Sequence, residues 1–196
     1  MRKLKLQMQT SIDGFVSTGP NDEQHWVTWA WDEIRPYVLG LLDSTDTILI
    51  GRKLATDYIP YWQDVNTRPD DPMYEAAQGI VRSKKIVFTK TLEKSRVIDP
   101  IAFGWEKTEF AKGDLAEEIR TLKNQSGKDM IVYGGSSFVS SIIKERLIDE
   151  FHLFVNPVAL GHGVRIFDGL EKYKSLELKR SIVYKSGIVL LHYEPK

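Results

Sequence analysis

Short apolar runs that stop at a glycine or a hydroxyl, and then give way to a helical stripe, constrain this chain more than any other feature. Ile48-Leu49-Ile50 stops at Gly51, Lys85-Ile86-Val87-Phe88 at Thr89, and Met130-Ile131-Val132-Tyr133 at Gly134. A strand that is apolar on both sides has both faces covered, as in parallel sheets. Helical stripes alternate with these runs. Ile34, Val38, Leu41 and Leu42 mark one, over 31–42, and Phe138, Ile142, Ile143 and Leu147 mark another. A third helix is expected over 114–123, with Asp114 near its positive end. Strands alternating with helices predict an α/β fold with a mostly parallel central sheet flanked by helices.

The remaining elements fit around that core. Leu4, Leu6 and Met8 alternate with Lys5, Gln7 and Gln9, which is a strand pattern. Ser11-Ile12-Asp13-Gly14-Phe15-Val16 turns away from it, with Gly14 as the permissive residue. Pro36 is tolerated only near a first turn, so the first helix is expected to start near Arg35. Residues 59–72, rich in Pro, Asp and Asn, read as a long loop, and 73–79 as a short helix. Arg96-Val97-Ile98 is a weaker strand. A strand over 150–155 ends at Asn156-Pro157. Two closing strands, over 175–184 and 188–193, meet at Lys185-Ser186-Gly187, a hairpin signature that adds antiparallel strands at one side. No composition shift marks a boundary, so one domain over 1–196 is expected.

Composition excludes several function classes. The 27 basic and 27 acidic side chains cancel, which argues against a nucleic-acid partner. There is no cysteine, hence no disulfide, thiol nucleophile or thiolate metal site, in keeping with a reducing cytoplasm. No apolar run approaches bilayer length, and the alternating N-terminus is not a signal peptide, so no membrane partner is expected. His25, His152, His162 and His192 are scattered without ligand spacing, so no metal is expected.

Three strand ends could carry chemistry. Tyr133-Gly134-Gly135-Ser136-Ser137 joins a strand to a helix. Free N–H groups and a partial positive charge at the helix start suit a phosphate, and glycines let it approach closely. A tight turn with no ligand explains the same residues. Gly51 is followed by Arg52 and Lys53, and Phe88 by Thr89 and Lys90. In open α/β sheets, ligands bind beyond the carboxyl ends of the strands, and arginine there can grip a phosphate with two bonds. A solvated basic pair is the alternative. Trp26, Trp29 and Trp31 form either core or a pocket wall, and Asp13, Asp32 and Glu33 are carboxylates near the first loop and helix.

Together these pieces resemble the dihydrofolate reductase superfamily, and more closely the reductase domain of the bifunctional riboflavin-biosynthesis deaminase–reductase, in a stand-alone form. The resemblance is carried by Ser11-Ile12-Asp13-Gly14, Ile48-Leu49-Ile50-Gly51-Arg52 and Val132-Tyr133-Gly134-Gly135-Ser136. Leu147-Ile148-Asp149-Glu150, Asn156-Pro157-Val158 and Leu160-Gly161-His162-Gly163 follow in family order. It implies a dihydrofolate reductase-like fold with NADPH as cofactor and a small heterocyclic substrate. That substrate would be 5-amino-6-(5-phosphoribosylamino)uracil or, alternatively, a dihydrofolate or pterin. A non-catalytic NADPH-binding module is the other alternative, and a homodimer is the implied assembly. The resemblance places Tyr133, Gly134, Gly135, Ser136, Ser137 and Phe138 along the cofactor, its pyrophosphate lying against Gly134 and Gly135. Gly51, Arg52, Lys53, Thr89 and Lys90 would lie by the adenosine phosphate, and Val16 over the nicotinamide. The deaminase domain is absent. The family's aspartate–proline substrate segment is replaced by Leu54-Ala55-Thr56-Asp57-Tyr58-Ile59-Pro60-Tyr61-Trp62, while Asp70-Asp71-Pro72 comes later. Reducing a C=N or C=O bond also needs a proton. Asp32 is the candidate donor, which requires burial against the tryptophans to hold that proton, and Asp13 is the alternative.

Overall fold

A computed structural model describes residues 1–20, 22–90 and 104–196. Eight strands form one sheet: β1 (Leu4–Thr10), β2 (Thr45–Gly51), β3 (Lys84–Phe88), β4 (Thr108–Ala111), β5 (Asp129–Val132), β6 (Glu150–Val155), β7 (Leu176–Val183) and β8 (Val189–Pro195). Their order is β4-β3-β2-β5-β1-β6-β8-β7. The first six in that order pair in parallel, while β8 and β7 add antiparallel strands at one side. This is the expected mostly parallel sheet with its C-terminal hairpin.

The centre of the sheet is where the sequence is most apolar. Leu4 and Leu6 of β1, Leu49 of β2 and Met130, Ile131 and Val132 of β5 are all 0% exposed. Burying each such side chain contributes roughly 1.5–3 kcal/mol. Helices α1 (Trp31–Asp43), α2 (Arg52–Val65) and α3 (Tyr74–Arg82) pack on one face, against Ile48, Ile50, Val87, Ile131 and Phe154. Helices α4 (Leu115–Asn124) and α5 (Ser136–Lys144) pack on the other, against Leu4, Leu6, Leu49, Met130 and Val132.

Four sequence expectations change. Helix α1 begins at Trp31 rather than near Arg35, with the amides of Glu33 and Ile34 bonded to the Ala30 carbonyl. Pro36 costs one backbone bond near the start, and the buried stripe Ile34, Val38, Leu41 and Leu42 outweighs it. The expected loop over 59–72 is mostly helix, because α2 runs through Pro60 to Val65. Ala55, Ile59 and Val65 are its buried residues, and that stripe overrides the breaker. The short helix is Tyr74–Arg82 rather than 73–79. Strand β4 went unanticipated: it has four residues and one charged side chain, and it lies at the sheet edge. The strand expected at Arg96-Val97-Ile98 lies outside the described residues. No described helix is long and apolar enough to cross a membrane.

The polar side of β1 does not face water. Lys5 is buried under α1, its ammonium 3.0 Å from Ser44 Oγ and 3.0 Å from Asp129 Oδ2. Lys3 donates to Glu150 at 2.7 Å, and His152 lies 3.1 Å from the same carboxylate. Burial alone would raise the Glu150 pKa, but the hydrogen bonds from His152 and Lys3 hold it at about 2.

Lys85 is buried with less support. It is 3% exposed and donates to the Val81 carbonyl at 2.9 Å. Burial, helped by Lys107, lowers its pKa to about 8. Below pH 8 the group is charged in both folded and unfolded chains, and the burial cost is fully present. Between about 8 and its ordinary value the unfolded chain binds more protons, so stability rises with pH. Relative to Lys85→Met, the wild-type chain is therefore expected to gain up to about 3 kcal/mol as pH rises from 7.5 to 10.5 in urea-unfolding curves. A flat difference would contradict this account.

Candidate active site

All six parallel strands end on one edge. After β1 and β2 the chain crosses to the α1–α3 face, and after β5 it crosses to the α5 face. Because β5 lies between β2 and β1, the connections part above it and leave a crevice.

The Gly134–Gly135 turn sits in that crevice, with a cis peptide between the two. The glycines differ in role. A Cβ on Gly134 would stand 3.0 Å from Leu54 Cδ2, whereas a Cβ on Gly135 would meet nothing within 4 Å. Gly134 is packed, and Gly135 opens onto free space. Gly135 also N-caps α5 without any side-chain bond to the first-turn amides. Those N–H groups lack intrahelical partners and suit an anion. The space and the donors fit a pyrophosphate.

Gly51 brings a second helix start to the same place. It N-caps α2, again with no side-chain cap, and a Cβ there would come 2.9 Å from Phe138 Cβ. Only glycine lets β2 end this close to α5. Beside it lies an open cavity of about 740 Å³ between the ends of β3 and β4, with Arg52, Thr89, Lys90, Lys112, Asp114 and Phe138 in its lining. Arg52, Lys53, Lys90 and Lys112 are exposed. Asp114 accepts the α4 amides of Ala116 and Glu117 at 3.0 and 3.1 Å, and Glu118 accepts the Gly113 amide at 3.1 Å. Both keep their charge, and the corner is cationic because Arg52, Lys90 and Lys112 outnumber them. Lys112 and the turn around Gly113 were missed from sequence. Their signal differed from that at the other ends: four residues with a charge among them, Thr108-Glu109-Phe110-Ala111, and a glycine only after Lys112.

The loop after β1 is fastened from two sides. Asp13 accepts from Ser11 Oγ at 2.6 Å, from the Gly161 amide at 2.7 Å and from the Leu160 amide at 3.1 Å. The hydrogen bond from Ser11, then that from Gly161, lower the Asp13 pKa to about 2. Val16 is buried, its amide donating to the Val164 carbonyl at 2.8 Å, and Val164 donates back to Ser17 at 2.8 Å. A Cβ on Gly163 would stand 2.1 Å from the Ser17 carbonyl, which explains that glycine. The Arg165 guanidinium lies 4.2 Å over the Phe15 ring. Asn156, wholly buried, completes the frame: Oδ1 accepts from the Thr28 amide at 2.9 Å, and Nδ2 donates to Gln9 Oε1 at 2.9 Å.

The two candidate carboxylates lie in surroundings other than those expected for a proton donor. Asp13 is tied into the loop by its hydrogen bonds, which favour its ionised form over the protonated form that the expected donor role needs. Asp32 is exposed on the first turn of α1 and is not buried against the tryptophans as a donor role required. Trp31 donates to the Pro72 carbonyl at 2.7 Å, Trp26 to Asp22 at 3.1 Å, and Trp29 is 51% exposed.

Two of the scattered histidines do meet. The β6–β8 register sets His152 opposite His192, stacked at 4.2 Å, with Glu150 beside both. Lys3 and Lys5 already face that carboxylate at 2.7 and 3.9 Å, so an added cation would be repelled.

The RibD C-terminal domain family matches residues 2–190. The uncharacterized protein YyaP of Bacillus subtilis (strain 168) is 32% identical over 195 residues, covering 98% of this chain and 94% of that one. A structure from Shewanella sp. PV-4, of a protein assigned to riboflavin biosynthesis, superposes with a TM-score of 0.71 at 23% identity, covering 99% of both chains. Dihydrofolate reductase of Enterococcus faecalis shares the fold, with a TM-score of 0.57 at 14% identity over 99% of this chain and 96% of that one.

If Asp13 is a latch, Asp13→Ala should free the loop without unfolding the sheet. Hydrogen exchange of the Phe15 and Val16 amides is expected to speed up at least about tenfold, with β1 unchanged. Unaltered exchange there would contradict the latch.

Proposed function

The chain belongs to the RibD C-terminal domain family, and from that premise we propose that it is an NADPH-dependent reductase of a small heterocyclic compound. One observation carries the reading. An open glycine at an uncapped helix start and a corner of four cations lie along the same strand-end edge, beside a cavity of about 740 Å³. A dinucleotide with an extra phosphate needs both features, and a plain strand-to-helix turn needs neither.

The cofactor, when bound, supplies the hydride, and the protein supplies position and electrostatics. The free amides of Ser136 and Ser137 would hold the pyrophosphate. Arg52, Lys53, Lys90 and Lys112 would meet the phosphate that distinguishes NADPH from NADH, through charge-assisted bonds. The loop at Val16 would cover the nicotinamide, kept still by the Asp13 latch so that the reacting atoms stay within about 3–3.5 Å. With Asp13 ionised and Asp32 exposed, water reaching the crevice is the proton source that remains. Exposed Leu178 and Val183 on β7 favour pairing as a homodimer by offering apolar surface to a second copy.

NADPH is expected to quench tryptophan fluorescence saturably. The double variant Arg52→Ala, Lys112→Ala should weaken NADPH by about 10- to 100-fold and NADH by less than about threefold. Equal losses would contradict the phosphate corner. NADPH binding with no oxidation by any pyrimidine or pterin would favour a non-catalytic module. In an active enzyme, Asp32→Asn should keep turnover within about twofold, and a loss of a hundredfold would restore it as the donor.

A further inference from the structure

We propose that Gln9 sets specificity in the crevice: its side-chain NH2 group donates to a carbonyl or ring-nitrogen acceptor on the ring that lies there. This rests on the reductase reading above and names one contact within that site.

The ladder places Gln9. Strand β1 pairs with β5 only as far as Leu6 and Val132, but it runs on beside β6 to Thr10. Gln9 is three residues past that last rung, so on the β5 side it has no neighbouring strand. The chain there has turned into the Gly134–Gly135 bend, and Gly135 is likewise three residues past Val132. Side chains alternate along a strand. Leu4, Leu6 and Met8 pack on the α4–α5 side, so Gln9 points to the α1 side, next to Phe154. It is partly buried.

Hydrogen bonds orient it. An amide side chain can lie either way round, and its partners decide which. The Thr28 backbone N–H can only donate, so the Asn156 atom 2.9 Å from it is Oδ1. The carbonyls of Phe154 and Thr10 can only accept, and Asn156 Nδ2 meets them at 3.2 and 3.3 Å. The same Nδ2 lies 2.9 Å from Gln9, whose facing atom is therefore Oε1. That leaves Gln9 Nε2 turned away from Asn156. Its hydrogens have no partner among the described residues, and the atom is open to solvent. The bond is not there for the sake of Asn156, which can give both its hydrogens to the two carbonyls alone. It holds Gln9 with its donors outward, a preorganised contact on a strand end, backed by a wholly buried side chain.

Donors held in this way select acceptors. A carbonyl oxygen or an unprotonated ring nitrogen fits, whereas an amino group or a ring N–H in the same place sets donor against donor. Two rings can bring the acceptor: the nicotinamide through its carboxamide oxygen, or the substrate through a ring carbonyl.

The test uses the full chain and two variants. Gln9→Glu keeps the acceptor for Asn156 and replaces the donors. Gln9→Met removes both without adding charge. The probes are NADPH, 2′-phospho-ADP-ribose, which lacks the nicotinamide, and, with NADPH saturating, 5-amino-6-(5-phosphoribosylamino)uracil and dihydrofolate. Binding is read by tryptophan quenching. Both variants should melt within about 2 °C of wild type. Both should lose at least about fivefold in affinity for one ring. If the nicotinamide is that ring, NADPH weakens and 2′-phospho-ADP-ribose does not. If the substrate is that ring, NADPH is unchanged and the uracil or the folate weakens. Unchanged affinity for NADPH and for each ring compound that the wild type binds overturns the proposal, whether or not the melting temperature falls. Equal losses for NADPH and 2′-phospho-ADP-ribose, or a loss in Gln9→Glu alone, overturn it too. Wild-type NADPH binding reports the reductase reading separately: its absence defeats that reading and this contact with it.

Discussion

The site depends on β5 being held in parallel between β2 and β1. Met130, Ile131 and Val132 are wholly buried on both sides, and their ladder runs to Leu4–Leu6 on one flank and Thr47–Leu49 on the other. Parallel pairing sends every connection to the same edge. The opposite crossings after β5 and after its neighbours then open the crevice. Gly135, just past the end of β5, faces that free space.

From that constraint the two ends of the site differ by what each neighbouring strand delivers. Strands β2, β3 and β4 end in Arg52-Lys53, Lys90 and Lys112, an electropositive corner suited to phosphate. Strands β1 and β6 end in loops that fasten each other. Asp13 reaches Leu160 and Gly161, Val16 pairs with Val164, and Asn156 reaches Thr28. The first end is exposed and charged. The second is cross-linked by hydrogen bonds, with Arg165 stacked on Phe15.

Much of this was legible from the chain. The apolar runs around Leu49, Val87 and Ile131 announced parallel strands, and the glycines at 51, 134 and 135 marked where they end. Helix α2 was hidden by Pro60 and its polar residues, since its stripe is visible only once the face it packs on is known. Strand β4 was too short to show a period, and Lys112 was lost with it. The role of Asp13 was out of reach for another reason. Ser11 is near in sequence, but the Leu160 and Gly161 amides that make Asp13 a latch are 147 and 148 residues away, and no local pattern reports a bond of that span. Asp32 misled because a carboxylate beside three tryptophans looks buried in sequence, whereas α1 turns it outward.

The central claim is that Gly135 is a glycine for the sake of a phosphate and not for the sake of the turn. Gly135→Ala separates the two directly. The added methyl meets no protein atom within 4 Å, at a backbone φ of −67° that alanine adopts freely. The account predicts a melting temperature within about 2 °C of wild type and NADPH affinity reduced at least about tenfold, measured by fluorescence titration. Destabilisation with NADPH affinity intact would mean that the glycine serves the turn alone.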